Sequence, residues 1–200
     1  NYQSFTASTK QITDNLEYGF IPDYFMTEGS YPKYPNSIFD NLRRFGSFMF
    51  WDSTIRSLIL LNYNFRARNL QKSDPDPEKL LMMPSARYMS YEVQRRLVDF
   101  LEKGGKLLLY GEVPIYDMEG GYCTELADYL ELRILHDSHK EKRRKADSII
   151  STGILGNRSE VHRPFFQTIT TNLEYEVLLK VYDLDQPCGL EIRKGEATAI

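Results

Sequence analysis

Cysteine is scarce: Cys123 and Cys188 are the two in 200 residues. They lie far apart with no C-x-x-C and no histidine at ligand spacing, which argues against a disulfide framework or a zinc site. Both are expected to be buried free thiols. No apolar run approaches the roughly 18 residues that a membrane-spanning helix needs. Neither G-x-G-x-x-G nor G-x-x-x-x-G-K-[ST] occurs, and Gly104-Gly105 precedes a strand, the wrong side for a phosphate cradle. There is no G-x-S-x-G elbow for a serine nucleophile. The three histidines, His136, His139 and His162, sit in or beside polar segments, and no Ser or Cys is placed to use one. Positive charge is not in excess either. A net charge of -3 and a pI near 5.7 argue against nucleic acid as the main partner. No metal or cofactor is expected. A secretory leader is not evident, which leaves the compartment open.

With 42% hydrophobic and 26% charged residues the chain can bury a core. Its organising stretch is Ser90 to Asp117. Ser90 is suited to cap a helix. Behind it Val93, Leu97, Phe100 and Leu101 form one apolar stripe. Burial of those four side chains is worth roughly 6–12 kcal/mol as an upper bound. The i,i+4 pairs Glu92–Arg96 and Asp99–Lys103 add only about 0.2–0.5 kcal/mol each. Gly104-Gly105 stops the helix. Leu107-Leu108-Leu109-Tyr110 then reads as a strand covered on both faces. Helix, glycine stop, buried strand and loop make one unit of a layered α/β sheet.

Elsewhere the expectations are less uniform. Asn1 to Pro35 reads as an extended arm or linker from a preceding domain, with residues 36–200 as the α/β domain. A helix is expected from Asn36, with Ile38, Phe39, Leu42 and Phe45 on one face. Arg56 to Asn62 reads as the first central strand, and Leu80 to Met83 as a second, parallel one. Asp74-Pro75-Asp76-Pro77 marks a polar loop. A short helix is expected over Tyr122 to Leu130 and a short strand over Glu131 to Leu135. Beyond the basic run His139 to Lys145 the pattern turns to β: Ser148–Ile154, Phe165–Thr171, Tyr175–Tyr182, Leu190–Ile192 and Ala197–Ile200. The start at Asn1 and the close inside a strand suggest a piece of a longer protein with its last strand truncated.

Glu112 and Asp117 occupy the loop after a central strand, where open α/β sheets place their sites. Two carboxylates there can act as acid and base, or can solvate the loop and meet a neighbouring domain. Tyr116 on the same loop and the single Trp51 join them as candidates for a sugar-site or interface loop, since aromatic side chains suit both.

Several runs resemble a known family. They are Tyr88-Met89-Ser90, Gln94 to Phe100, Gly104 to Leu107, Pro114 and Asp117, with Gly19 to Glu28 upstream. They look like the middle domain of bacterial β-galactosidases of glycoside hydrolase family 35, and like the trimerisation domain of family 42. The resemblance implies an α/β, flavodoxin-like or class I glutamine-amidotransferase-like three-layer sandwich. Its sheet would be mainly parallel, with a β-rich C-terminal part. True amidotransferases carry a cysteine just after the strand; here that place is Tyr110-Gly111-Glu112-Val113, which argues against glutaminase chemistry. In β-galactosidases two glutamates on a (β/α)8 barrel do the catalysis, and such a barrel needs about 250 residues. No catalytic residue therefore carries over.

The expected function is that of a non-catalytic accessory or oligomerisation domain of a β-galactosidase-like enzyme, inactive alone. Its implied partners are the barrel of the same chain, further copies of the chain, and the parent's carbohydrate substrate. Two other readings stay open. One is a stand-alone enzyme working through Glu112 and Asp117. The other is a module binding an anionic polymer through residues 139–145.

Overall fold

The computed structural model describes residues 15–22, 53–137, 147–152, 160–163 and 166–200. Its elements are β1 (Leu16–Phe20), α1 (53–60), β2 (Arg66–Asn69), β3 (Leu80–Ser85), α2 (Tyr91–Glu102), β4 (Lys106–Gly111), α3 (Glu125–Tyr129), β5 (Arg133–Asp137), β6 (Asp147–Ser151), β7 (Glu160–Arg163), β8 (Gln167–Thr170), β9 (Glu174–Val181), β10 (Gln186–Lys194) and β11 (Ala197–Ala199). One nine-stranded sheet runs β2-β1-β3-β4-β11-β10-β9-β6-β7. The pairings from β2 to β11 are parallel and those from β11 to β7 antiparallel. β5 and β8 form a separate antiparallel ladder. The chain is thus α/β, with a parallel half and a strand-rich C-terminal half.

The stripe on α2 positions everything else. Val93, Leu97, Phe100 and Leu101 are all buried, in one cluster with Leu81 and Met83 of β3, Leu107 of β4 and Ala199 of β11. Ser90 caps the helix by accepting from the Val93 N–H (3.4 Å), and Gly104 closes it at φ +80. Side chains alternate along a strand. Leu80 and Met82 accordingly point to the opposite face, where they pack with Leu16, Tyr18, Tyr110 and Ile55 and Leu58 of α1. Helices therefore cover both faces of the parallel half.

Three expectations need correction. Residues 53–60 are helix, not the first central strand. The consecutive run Leu58-Ile59-Leu60-Leu61 suggested a strand buried on both faces, yet only Leu58 is buried; Ile59, Leu60 and Leu61 are 59%, 82% and 67% exposed. The telling spacing is Ile55 to Leu58, one helical turn on the sheet. Second, Leu16–Phe20 lies inside the stretch expected as an arm and is a sheet strand, flanked by β2 and β3. A glutamate and a glycine hid it. Glu17 is fully buried and neutralised by Arg68, and Gly19 lets Leu70 and Met83 approach where a Cβ would crowd them. Third, the surface pairs on α2 are different ones: Asp99 accepts from Arg95 (3.0 Å), while Arg96 reaches Asp74 (3.1 Å) and donates to the Leu70 carbonyl. The helix expected from Asn36 lies outside the described residues.

Candidate functional site

The carboxyl ends of β3 and β4 open side by side, and the chain leaving each strand supplies the site. From β3 come Arg87 and Tyr88; from β4 come Glu112 and the loop to Cys123. Two backbone ties hold them in register: the Arg87 carbonyl accepts from Ile115 and Tyr116 (3.0 and 3.1 Å), and the Tyr116 carbonyl accepts from Met89 (2.8 Å). Arg87 is buried. Its Nη2 donates to Asp137 on β5 (2.7 Å) and lies 3.5 Å from Glu112 Oε1. One guanidinium thus serves two carboxylates, while its Nε has no partner among the described residues.

Beside this cluster stand three tyrosines. Tyr116 stacks on Tyr88 (centroids 5.4 Å apart, 28° between planes) and lies tilted against Tyr122 (5.1 Å, 38°). The Tyr122 ring is 83% exposed and presents the outer face of the stack. Burial, helped by the neighbouring Tyr122, pushes the Tyr116 phenol above its ordinary range. Asp117 turns inward on its own loop. Its Oδ1 accepts from the N–H groups of Glu119 (2.9 Å) and Gly121 (2.8 Å), closing a tight turn. A Cβ at Gly121 would sit 2.8 Å from the other carboxylate oxygen.

The structure therefore brings Glu112, Tyr116 and Asp117 to one rim and gives each a tie within the fold. Trp51 and the basic run at 139–145 lie outside the described residues. His136 is stacked on Phe166 (5.4 Å). Burial pushes the Cys123 thiol up, the wrong direction for a nucleophile. Sequence reasoning missed Arg87, Tyr88, Tyr122 and Asp137 as site residues. Arg87 and Tyr88 follow β3 as Glu112 follows β4, so the same strand-end argument could have found them. Asp137 arrives from β5, and no local signal announces that meeting.

Chemically, this rim sets one exposed tyrosine and two half-buried ones near a buried ionic tie. Amphipathic rings of this kind suit contact with a partner or a sugar face. Among the described residues no nucleophile stands beside a base here.

The fold recurs in larger enzymes. The exo-beta-1,4-mannosidase Op5Man5 from Opitutaceae bacterium strain TAV5 superposes with a TM-score of 0.61 at 14% identity, over 98% of this chain and 32% of that one. Gan42B, a GH42 beta-galactosidase from G. stearothermophilus, gives 0.61 at 13%, over 92% and 27%. The beta-galactosidase from Rahnella sp. R3 gives 0.61 at 14%, over 93% and 28%. Identities this low speak for the fold alone. In sequence, a curated beta-1,2-glucosyltransferase of Ignavibacterium album is 28% identical over 64% of this chain, which spans 20% of that relative's length. Residues 34–177 match the family described as "GLMA-like, second domain". With most of its length inside that match, the chain belongs to the GLMA-like second-domain family.

Proposed function

We propose that this chain is a non-catalytic supporting domain of a glycosidase-like enzyme. It packs on a catalytic (β/α)8 barrel carried by the same polypeptide and helps hold subunits together. The carrying observation is membership in a family defined as a second domain. The rim fits this reading: Glu112 lies 3.5 Å from Arg87, and Asp117 Oδ1 accepts from the N–H groups of its own turn. In the finer reading the parent is a β-galactosidase of the family 35 or 42 kind, and this domain is its amidotransferase-like, flavodoxin-like, trimerisation-type unit. Residues 1–35 then include the linker from the barrel together with β1 of the sheet, and 36–200 the rest of the domain. Two surfaces suit the packing. One is the exposed apolar patch Ile59-Leu60-Leu61 on and just after α1. The other is the tyrosine rim, where Tyr116 and its stacked neighbours face the sugar site while Glu112 and Asp117 hold the loop in place.

Hydrolysis of a chromogenic β-galactoside by this chain and by the full-length protein, side by side, tests the reading. Turnover by the full-length protein alone is expected; turnover by the 200-residue chain would refute it. The identity to a beta-1,2-glucosyltransferase favours a second version, in which the parent transfers glucosyl groups. Glucosyl transfer without galactoside hydrolysis in the full-length protein would select that version and keep the supporting role.

A further inference from the structure

A buried side-chain amide at the start of β8 has donors that nothing answers. Gln167 is 7% exposed; its Oε1 accepts from the Val113 N–H (2.8 Å), and its Nε2 has no partner among the described residues. The tie to Val113 fixes which end of the amide is the oxygen, so the NH2 group is what remains unmatched. Buried polar groups are seldom left this way without an occupant.

Gln167 and Val113 stand in the wall of a cavity of about 420 Å³. It lies where β4 and β10 part: β11 joins them only at Lys106–Leu107 and Ile192–Lys194, while β4 runs on to Gly111 and β10 begins at Gln186. Leu109, Leu130, Phe166, Leu178 and Leu190 make most of the wall apolar. Among the described lining residues, the side chains that carry oxygen or nitrogen are Tyr110, Glu112 and Gln167. The Tyr110 hydroxyl bonds Tyr18, and Glu112 lies 3.5 Å from Arg87, which leaves the Gln167 amide to meet an occupant. An apolar cavity of this size with one fixed polar group has the make-up of a small-molecule site.

The walls set the chemistry of the occupant. A charged group would lose its hydration against leucine and phenylalanine, and an anion would also meet the Glu112 carboxylate. Cys188 in the same wall stays a neutral thiol, since burial pushes it up to about 12. A molecule that only donates hydrogen bonds would leave Gln167 Nε2 unmatched. We propose that this cavity binds a small neutral molecule with an apolar body and one carbonyl or hydroxyl oxygen, which accepts from Gln167 Nε2. The inference goes beyond the supporting-domain reading and does not rest on it.

Ligand-detected NMR titration of the full-length protein tests it with three probes of similar shape. They are acetophenone, cumene, which has a methyl group in place of the carbonyl oxygen, and benzoate, which carries a charge. Acetophenone should bind, and benzoate should bind far more weakly. Gln167→Leu should weaken acetophenone by ~3–10-fold, the worth of one hydrogen bond, and leave cumene no weaker. Cys188→Phe, which narrows the cavity and keeps the amide, should weaken both; the Tm of each variant reports that the fold persists. No acetophenone binding, benzoate binding as tight as acetophenone, or acetophenone binding unchanged in Gln167→Leu would overturn the proposal. Should Gln167→Leu fail to fold, acetophenone binding unchanged in Cys188→Phe would overturn it equally.

Discussion

Glu17 shows how a single residue sets the character of a strand. Its carboxylate is fully buried between β2 and β3, where it accepts from Arg68 Nε (3.2 Å) and Nη2 and from the Asp76 N–H (3.1 Å). A buried charge persists only when so paired, and removing one partner costs about 3–5 kcal/mol. The same tie anchors the Asp74–Pro77 loop on the sheet. Burial acts in the opposite sense on neutral acids. It pushes the Cys188 thiol from 9.0 up to about 12. It also raises Tyr18 and Tyr110, whose hydroxyls bond each other. Below about pH 9 the thiol is protonated in both the folded and the unfolded chain, and its contribution is complete. Above that, the unfolded chain sheds the proton and the folded chain keeps it, so stability falls as pH rises. Tm is expected to hold up to pH 9 and then decline, and Cys188→Ala should make the decline between pH 9 and 10 shallower. An unchanged slope in that window would contradict the assignment.

At the scale of elements, one side chain joins α2 to α3. Gln94 donates from Nε2 to the carbonyls of Met89 (3.0 Å) and Cys123 (2.9 Å), and its Oε1 accepts from the Leu126 N–H (3.2 Å). Gln94→Ala would strand three buried backbone groups. It is expected to cost about 3 kcal/mol in chemical denaturation, and a loss below about 1 kcal/mol would show that water replaces the amide. Which elements were legible in sequence follows from the same physics. α2, β4 and β3 carry apolar patterns set by their own length, and all were readable, as was the inward set Leu126, Ala127 and Leu130 of the short helix. β1 was not, because its credentials lie in partners distant along the chain, Arg68 for Glu17 and Leu70 for Gly19. α1 was misread because exposed leucines imitate a buried run. The rim was half legible: strand-end logic reaches Glu112, whereas the Asp137–Arg87 tie is made only by tertiary folding.

For the molecule as a whole, the parallel half and the antiparallel half meet at β11, the shortest strand. Among the described residues, the Arg87 cluster and the tyrosine group lie together at the carboxyl end of the parallel half. Each carboxylate of the rim has a tie within the fold, Glu112 to Arg87 and Asp117 to its own turn. On the proposed reading, the domain contributes surface and rigidity to a larger enzyme. The most direct test is the turnover number of the full-length protein carrying Glu112→Gln, measured with its Tm. The supporting-domain account predicts turnover within about twofold of the parent, whereas removal of a general acid or base typically costs about 10²–10⁴-fold. A loss of that size with an unchanged Tm would place the chemistry in this domain and contradict the account.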